Sequence, residues 1–131
     1  MQGVYEIGTS GIHVGAYITL EGAGQNVTKI IGSYTTSTIY GGVLSIGSIS
    51  LVKDITIENT TKTAGTNTVA ITKGYEFDGK LVNVTAISSG NGLAIRPYAI
   101  RMLGGATDLT NVTAIEQRVR PAQIPALTTY F

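Results

Sequence analysis

Apolar and polar residues alternate in short bursts along this chain, and the bursts return at a nearly fixed distance. Leu81-Val82-Asn83-Val84-Thr85-Ala86-Ile87 comes back almost letter for letter as Leu109-Thr110-Asn111-Val112-Thr113-Ala114-Ile115, and the same frame stands earlier as Val52-Lys53-Asp54-Ile55-Thr56-Ile57. A weaker copy of its centre is Asn26-Val27-Thr28, so the Asn/Asp position recurs at 26, 54, 83 and 111, in nearly equal steps. Alternation with a period of two predicts half-buried strands. Self-similarity at this distance is the signature of a solenoid, in which each repeat is one coil and neighbouring coils bury each other.

The remaining strands follow from the same pattern. Residues 3–7, 12–14, 18–21, 27–31, 43–46, 51–58 and 69–71 read as short strands separated by Gly, Ser, Thr and Asn clusters. Val69-Ala70-Ile71 is paralleled by Leu93-Ala94-Ile95, and Tyr75-Glu76-Phe77-Asp78 by the stretch from Pro97 to Leu103, which predicts three strands per coil. The inward positions are then Ile18, Leu20, Val43, Ile46, Val52, Ile55, Ile57, Val69, Ile71, Leu81, Val84, Leu93, Ile95, Leu109 and Val112. Lys53, Thr56 and Glu58 point outward, and Asp54 falls where its strand bends. The expected fold is all-β, a right-handed single-stranded parallel β-helix of about four coils over residues 1–117. Asp78-Gly79 and Asn91-Gly92 are hairpin signals, so a small Greek-key or jelly-roll fold is the alternative. After Ile115 the chain turns polar and then carries Pro121 and Pro125, which cannot donate to a ladder; residues 118–131 are expected outside the coil, as a cap or as an oligomer contact through Ile124, Leu127, Tyr130 and Phe131.

Composition narrows the picture. Thr, Ile and Val supply 45 of the 131 residues, which suits a pleated surface. Charged residues are 13% and the formal net charge is +1, so no basic field exists to recruit nucleic acid. The absence of Cys removes disulfides, thiol catalysis and Cys-based zinc sites. No apolar run is long enough to span a bilayer, and the N-terminus lacks the basic-then-apolar layout of a signal peptide.

Candidate chemistry is sparse. Asp54, Asn83 and Asn111 recur at a predicted corner and read as a stacked polar ladder, since Asn and Asp bond nearby backbone and tolerate left-handed conformations. Tyr34, Tyr40, Tyr75 and Tyr98 offer an apolar face with a polar edge, suited to stacking sugar rings, or simply to packing at corners. Asp54, Glu58, Glu76 and Asp78 fall near one another on neighbouring coils and read as residues of a solvated face. His13 has no nucleophile elbow to serve. The Gly22-Ala23-Gly24 bend lacks the helix and Lys-Ser/Thr of a phosphate loop. Three Asn-Val-Thr triplets and Asn59-Thr60-Thr61 match the glycan-acceptor pattern, but two of the triplets lie on repeat strands and read as structural. No metal and no cofactor is expected.

Three phrases carry a family resemblance: Ile18-Thr19-Leu20-Glu21-Gly22-Ala23-Gly24 with Thr28-Lys29-Ile30-Ile31-Gly32, then Lys53-Asp54-Ile55-Thr56-Ile57-Glu58-Asn59-Thr60, then Asn67-Thr68-Val69-Ala70-Ile71. Over about half of its length the chain resembles the pectin-lyase-like superfamily of right-handed parallel β-helices, pectinesterases most nearly, with similar phrases in tailspikes and polysaccharide lyases. The resemblance implies the coil and fails at the chemistry. Where pectinesterases carry an oxyanion-holding Gln this chain has Asn67, and where they carry a second Gln and the general-acid Asp it has Gly90 and Asn91. Neither of the latter can release a proton at neutral pH. Arg96 or Arg101 is the nearest match to the family's guiding Arg, and its nucleophilic Asp has no counterpart. The expected function is therefore a non-enzymatic structural or adhesive module of a virion appendage or cell-surface assembly. It would lie outside the cell or on a virion, assemble with copies of itself and contact polysaccharide. A carbohydrate-active enzyme, esterase or lyase, is the alternative.

Overall fold

A computed structural model shows an all-β chain whose parallel strands stack as a β-solenoid of about three turns. It describes residues 2–36, 41–61, 67–74, 78–89, 96–103, 107–117 and 127–128. The strands are β1 (Gly3–Glu6), β2 (Ile12–Val14), β3 (Thr19–Glu21), β4 (Thr28–Gly32), β5 (Leu44–Ile46), β6 (Leu51–Asn59), β7 (Asn67–Lys73), β8 (Gly79–Ser88), β9 (Arg96–Met102), β10 (Thr107–Gln117) and β11 (Leu127–Thr128). One sheet runs β1-β4-β6-β8-β10-β11 with β3 also on β6, and the other runs β2-β5-β7-β9. Among the described residues, every pairing of these strands is parallel except β10 with β11. The turns number about three where the repeat suggests about four, and the first copy of the frame departs from the later ones.

That difference sits in residues 22–27. Glu21 pairs with Lys53 and Lys29 pairs with Thr56, so the earlier rung takes eight steps where the later one takes three. The surplus forms an excursion between β3 and β4. Asn26 lies in it and is not a ladder position. From β6 onward the register is regular: Val52 pairs with Leu81 and Ile55 with Val84, and these continue to Leu109 and Val112.

The long strands bend where the repeat places Asn or Asp. Asp54, Asn83 and Asn111 hold φ of 58°, 53° and 51°, and strand pairing skips each of them. Such residues accept the left-handed region because a short polar side chain bonds locally. Each bend divides its strand into two limbs. With the second sheet, these limbs make three sides around an aliphatic core.

Val43, Ile46, Val52, Ile55, Ile57, Val69, Ile71, Leu81 and Val84 are all fully buried, as the inward pattern requires, and Leu20 and Val112 pack against them half-buried. Two expectations fail. Ile18 is 52% exposed because it follows the corner residue Tyr17 and does not lie inside a strand. Leu109 is 40% exposed: it belongs to the inward row of Val52 and Leu81, but it sits in the last paired rung of that row. Leu93 and Ile95 lie outside the described residues. The partner of Val69-Ala70-Ile71 is the segment Tyr98-Ala99-Ile100, so the stretch after Arg96 shares the second sheet with β7 and does not form a separate third strand. Successive residues Val43-Leu44, Ala70-Ile71 and Ala99-Ile100 are all in the core, so alternation is lost at the same place on each of these rungs, and in β7 burial is continuous from Thr68 to Lys73.

Candidate functional site

Burial of Ile55 and Ile57 forces the residues between and beyond them outward, and pairing repeats that choice on every rung. Outward positions therefore line up across the sheet as rows. One row is Val4, Lys29, Thr56, Thr85 and Thr113, and the next is Glu6, Ile31, Glu58, Ile87 and Ile115. A third holds Ser33, Thr60 and Ser89, placed by the bonds Thr60 N to Gly32 O at 2.9 Å and Ser89 N to Asn59 O at 2.9 Å. Hydroxyl-bearing rows thus flank a row of Ile and Glu side chains, with rungs at about 4.8 Å spacing.

The excursion after β3 lies across this face as a strap. Gly24 N bonds Asp54 O at 2.8 Å, Ala23 N bonds Thr28 Oγ1 at 2.9 Å, and Gln25 Nε2 reaches Asn111 O at 3.2 Å. Thr56 donates to Gln25 O, which buries its hydroxyl under the strap. Gly22 must be glycine, since a Cβ there would strike the Asp54 carbonyl and Thr28. Beside the strap is a groove of about 260 Å³ with Val4, Val27 and Ile87 on its apolar side and Gln25, Lys29 and Thr85 on its polar side. A second groove of about 230 Å³ follows along the same face between Glu6, Ile31, Ser33 and Thr60.

Between the grooves, Lys29 Nζ lies 2.5 Å from Glu58 Oε1, and Ser89 Oγ donates to Glu58 Oε2. Both oxygens of the carboxylate are engaged, so Glu58 holds a cation and a hydroxyl instead of standing ready to move a proton. This face presents hydroxyls, amides, small aliphatic surfaces, the Lys29–Glu58 ion pair and the Glu6 carboxylate.

The structure disperses most other candidate residues. Asp54, Asn83 and Asn111 do come together: Asn111 Nδ2 donates to Asn83 Oδ1 at 2.9 Å, and Asn83 Nδ2 to Asp54 Oδ1 at 2.9 Å. Tyr34 packs against the core beside Gly11 and Gly41, while the face of Tyr98 is covered by the Arg101 guanidinium at 4.9 Å. Tyr40, Tyr75, Glu76, Gly90, Asn91, Ile124, Tyr130 and Phe131 lie outside the described residues, as does the side chain of Arg96. Backbone of Asn67 pairs with Thr36, and His13 Nδ1 contacts Ser45 Oγ at 3.0 Å on the neighbouring rung. Leu127 returns to pair with Gln117 of the same chain. Among the described residues no group of three His, Cys, Asp or Glu is placed to hold a metal ion.

Three buried polar groups escaped the sequence pattern. Asn59 is fully buried and uses its whole amide, donating to Tyr34 O at 2.8 Å and Val69 O at 3.0 Å and accepting from Thr61 N at 3.0 Å and Thr61 Oγ1 at 2.7 Å. Its place at a strand end before Thr60-Thr61 is an Asx-turn signature, the signal that identifies it. Lys73 is fully buried with Nζ 3.3 Å from Gly74 O, and burial pushes its pKa below the usual lysine range against the opposing pull of Asp78. Glu116, also buried, accepts from Ala99 N at 3.1 Å. Lys73 stands two residues beyond inward Ile71 and opposite Ile46, and Glu116 two beyond inward Ala114, so each is a charged residue at a place the alternation gives to an apolar one.

The fold and face together define a β-solenoid with a patterned outer sheet. Comparison with protein families, curated proteins and solved structures finds no match to this chain.

Proposed function

We propose that this chain is a non-enzymatic structural or adhesive β-helix module of a virion appendage or cell-surface assembly, working outside the cell and contacting polysaccharide along its outer face. One observation carries the reading: hydroxyl rows Thr85, Thr113 and Ser33, Thr60, Ser89 repeat at rung spacing beside two shallow grooves. A repeating surface of hydrogen-bonding groups is complementary to a repeating polyhydroxylated polymer, and each groove is smaller than the range of about 300 Å³ and above that encloses a whole ligand. The resemblance to pectin-lyase-like coils supports the same assignment without its catalysis. Self-assembly belongs to the proposal, since strand edges at the ends of a solenoid invite other chains.

Incubation with methylated and unmethylated polyuronates tests the reading. The expected result is retention on immobilised polysaccharide, weakened by Thr85→Val, with no methanol and no unsaturated ends released. Sustained turnover would return the chain to the carbohydrate-active enzymes.

A further inference from the structure

Two residues hold left-handed backbone where their chemistry resists it. Tyr17 has φ of 63° and Ile49 φ of 52°, and they occupy equivalent places on adjacent rungs at the corner that leads into β3 and β6. Tyr17 N bonds Ser48 O at 3.1 Å and Leu51 N bonds Ile18 O at 3.1 Å, so the register that pairs β2 with β5 and β3 with β6 runs through the corner unbroken. A positive φ at a bulky or β-branched residue is strained, because Cβ meets the following carbonyl.

A second corner of the solenoid solves this problem with Asp54 on the rung of Ile49 and with Asn83 and Asn111 on the two rungs after it. Asn or Gly at 17 and 49 would relieve the strain there too. Neither side chain repays it within the fold: Tyr17 is 78% exposed and Ile49 58%. With Ile18 they form a convex apolar ridge running along the solenoid axis. Strain kept at exposed positions points to a contact outside the chain.

The shape and charge of the ridge select the partner. It is convex and lines neither groove, so it fits a macromolecular surface better than a small ligand. Its flank carries the Glu21–Lys53 ion pair, 3.7 Å across the same two rungs, and Lys80 is held by Asp108 at 3.6 Å, which leaves no basic collar for an anionic lipid surface. Flanks of mixed sign are instead complementary to a copy of themselves turned end for end. We propose that the ridge is the two-fold contact between two copies of this chain lying side by side. A two-fold axis set between the two rungs brings Tyr17 onto the partner's Ile49 and Ile49 onto the partner's Tyr17, the reciprocal pairing of an isologous interface. The net charge of +1 leaves little repulsion to oppose it. This goes beyond the polysaccharide reading and does not depend on it: loss of glycan retention leaves the dimer untouched, and loss of the dimer leaves single-copy retention untouched.

Sedimentation over a concentration series, with the wild type and with Tyr17→Asn, Ile49→Asn and the double substitution, tests the proposal. The double variant is expected to melt higher by about 4 °C or more as the strain is relieved, and to associate about tenfold more weakly. Gain of stability with loss of association is a signature that a merely structural corner does not give. Because the chain has no native Cys, a mixture of Tyr17→Cys and Ile49→Cys chains reads the geometry directly. The mixed disulfide should form faster than either self-pair, since only the mixed pair is brought within bridging distance. A wild type that stays monomeric to high micromolar concentration, an association indifferent to both Asn substitutions, or self-pairs that cross-link faster than the mixed pair overturns the proposal.

Discussion

Asp54, Asn83 and Asn111 combine two roles in one side chain. Each tolerates positive φ, and each amide donates toward the preceding rung, so the chain of hydrogen bonds runs in one direction and ends on the Asp54 carboxylate. An Asp at that end is consistent with its place, since it need only accept; Lys53 Nζ lies 3.9 Å from its other oxygen. Asn83 is the middle rung and makes both bonds. Asn83→Ala should therefore cost about 2 kcal/mol or more, from two lost hydrogen bonds and a less tolerant backbone. Asn111→Ala should cost less, because Asn111 lies on the last rung. Urea unfolding of the two variants checks the order, and equal losses would mean that the backbone conformation alone matters. Lys73 is the opposite case, a charge whose burial opposes folding. Its folded pKa lies below the unfolded value of 10.5, so between the two the unfolded state binds more protons and stability rises with pH. Below the folded pKa the cost is fully present. Lys73→Met should match or exceed the wild type in stability near neutral pH. The margin should shrink as pH rises toward 10.5, and one that ignores pH would assign the burden to another group.

At the scale of elements, the repeat was legible because a one-residue slip would turn every side chain to the wrong face, so selection for burial writes the register into the sequence. Val52, Ile55, Leu81 and Val84 are readable in this way, and all are fully buried. Ile55→Ala should cost about 2 to 5 kcal/mol and Val84→Ala somewhat less, through cavities in a core that cannot collapse between fixed rungs. Calorimetry that finds both within a few tenths of wild type would contradict the register. What alternation cannot encode is an insertion. Asn26-Val27-Thr28 looks like a fourth copy of the frame, yet the insertion before Thr28 places Asn26 on the strap and only Thr28 in the rung. The outward-facing rows were legible as types but not as a surface, because their meaning depends on which residues become neighbours across rungs. Tyr17 and Ile49 were hidden for a related reason: Tyr17-Ile18 reads as the start of a strand, and only φ shows a corner there. Gly22→Ala tests the strap as an element. A Cβ would run into the Asp54 carbonyl, so the strap must lift, and the expected result is faster amide exchange at Gly24 and Thr28 with the β6-to-β8 pairing unchanged.

The whole molecule treats its strand edges differently. On the second sheet, β9 has no described neighbour beyond it, and its Ala99 N–H is met by Glu116 Oε1 at 3.1 Å instead of by a strand. On the first sheet, β11 returns antiparallel on β10 at Glu116↔Thr128 and Gln117↔Leu127. One short segment therefore closes two edges: Glu116 sends its side chain to one sheet while its backbone pairs with the tail for the other. Parallel strands depend on contacts distant in sequence, so an edge left open during slow folding is an aggregation hazard. Covering it at the last rung protects the rungs behind it. Two changes separate the devices. Glu116→Ala leaves the Ala99 N–H without its acceptor in a buried setting, which should cost about 1 to 3 kcal/mol and speed amide exchange at Ala99 while β7 keeps its protection. Deleting residues 118–131 removes β11 and leaves Glu116 in place. The circular dichroism of the strands should then persist, and light scattering should rise with concentration as the β10 edge is uncovered. A truncated chain that scatters no more than the full one, and is smaller in solution, would mean that the tail joins different chains and that its return to β10 is not what covers the edge.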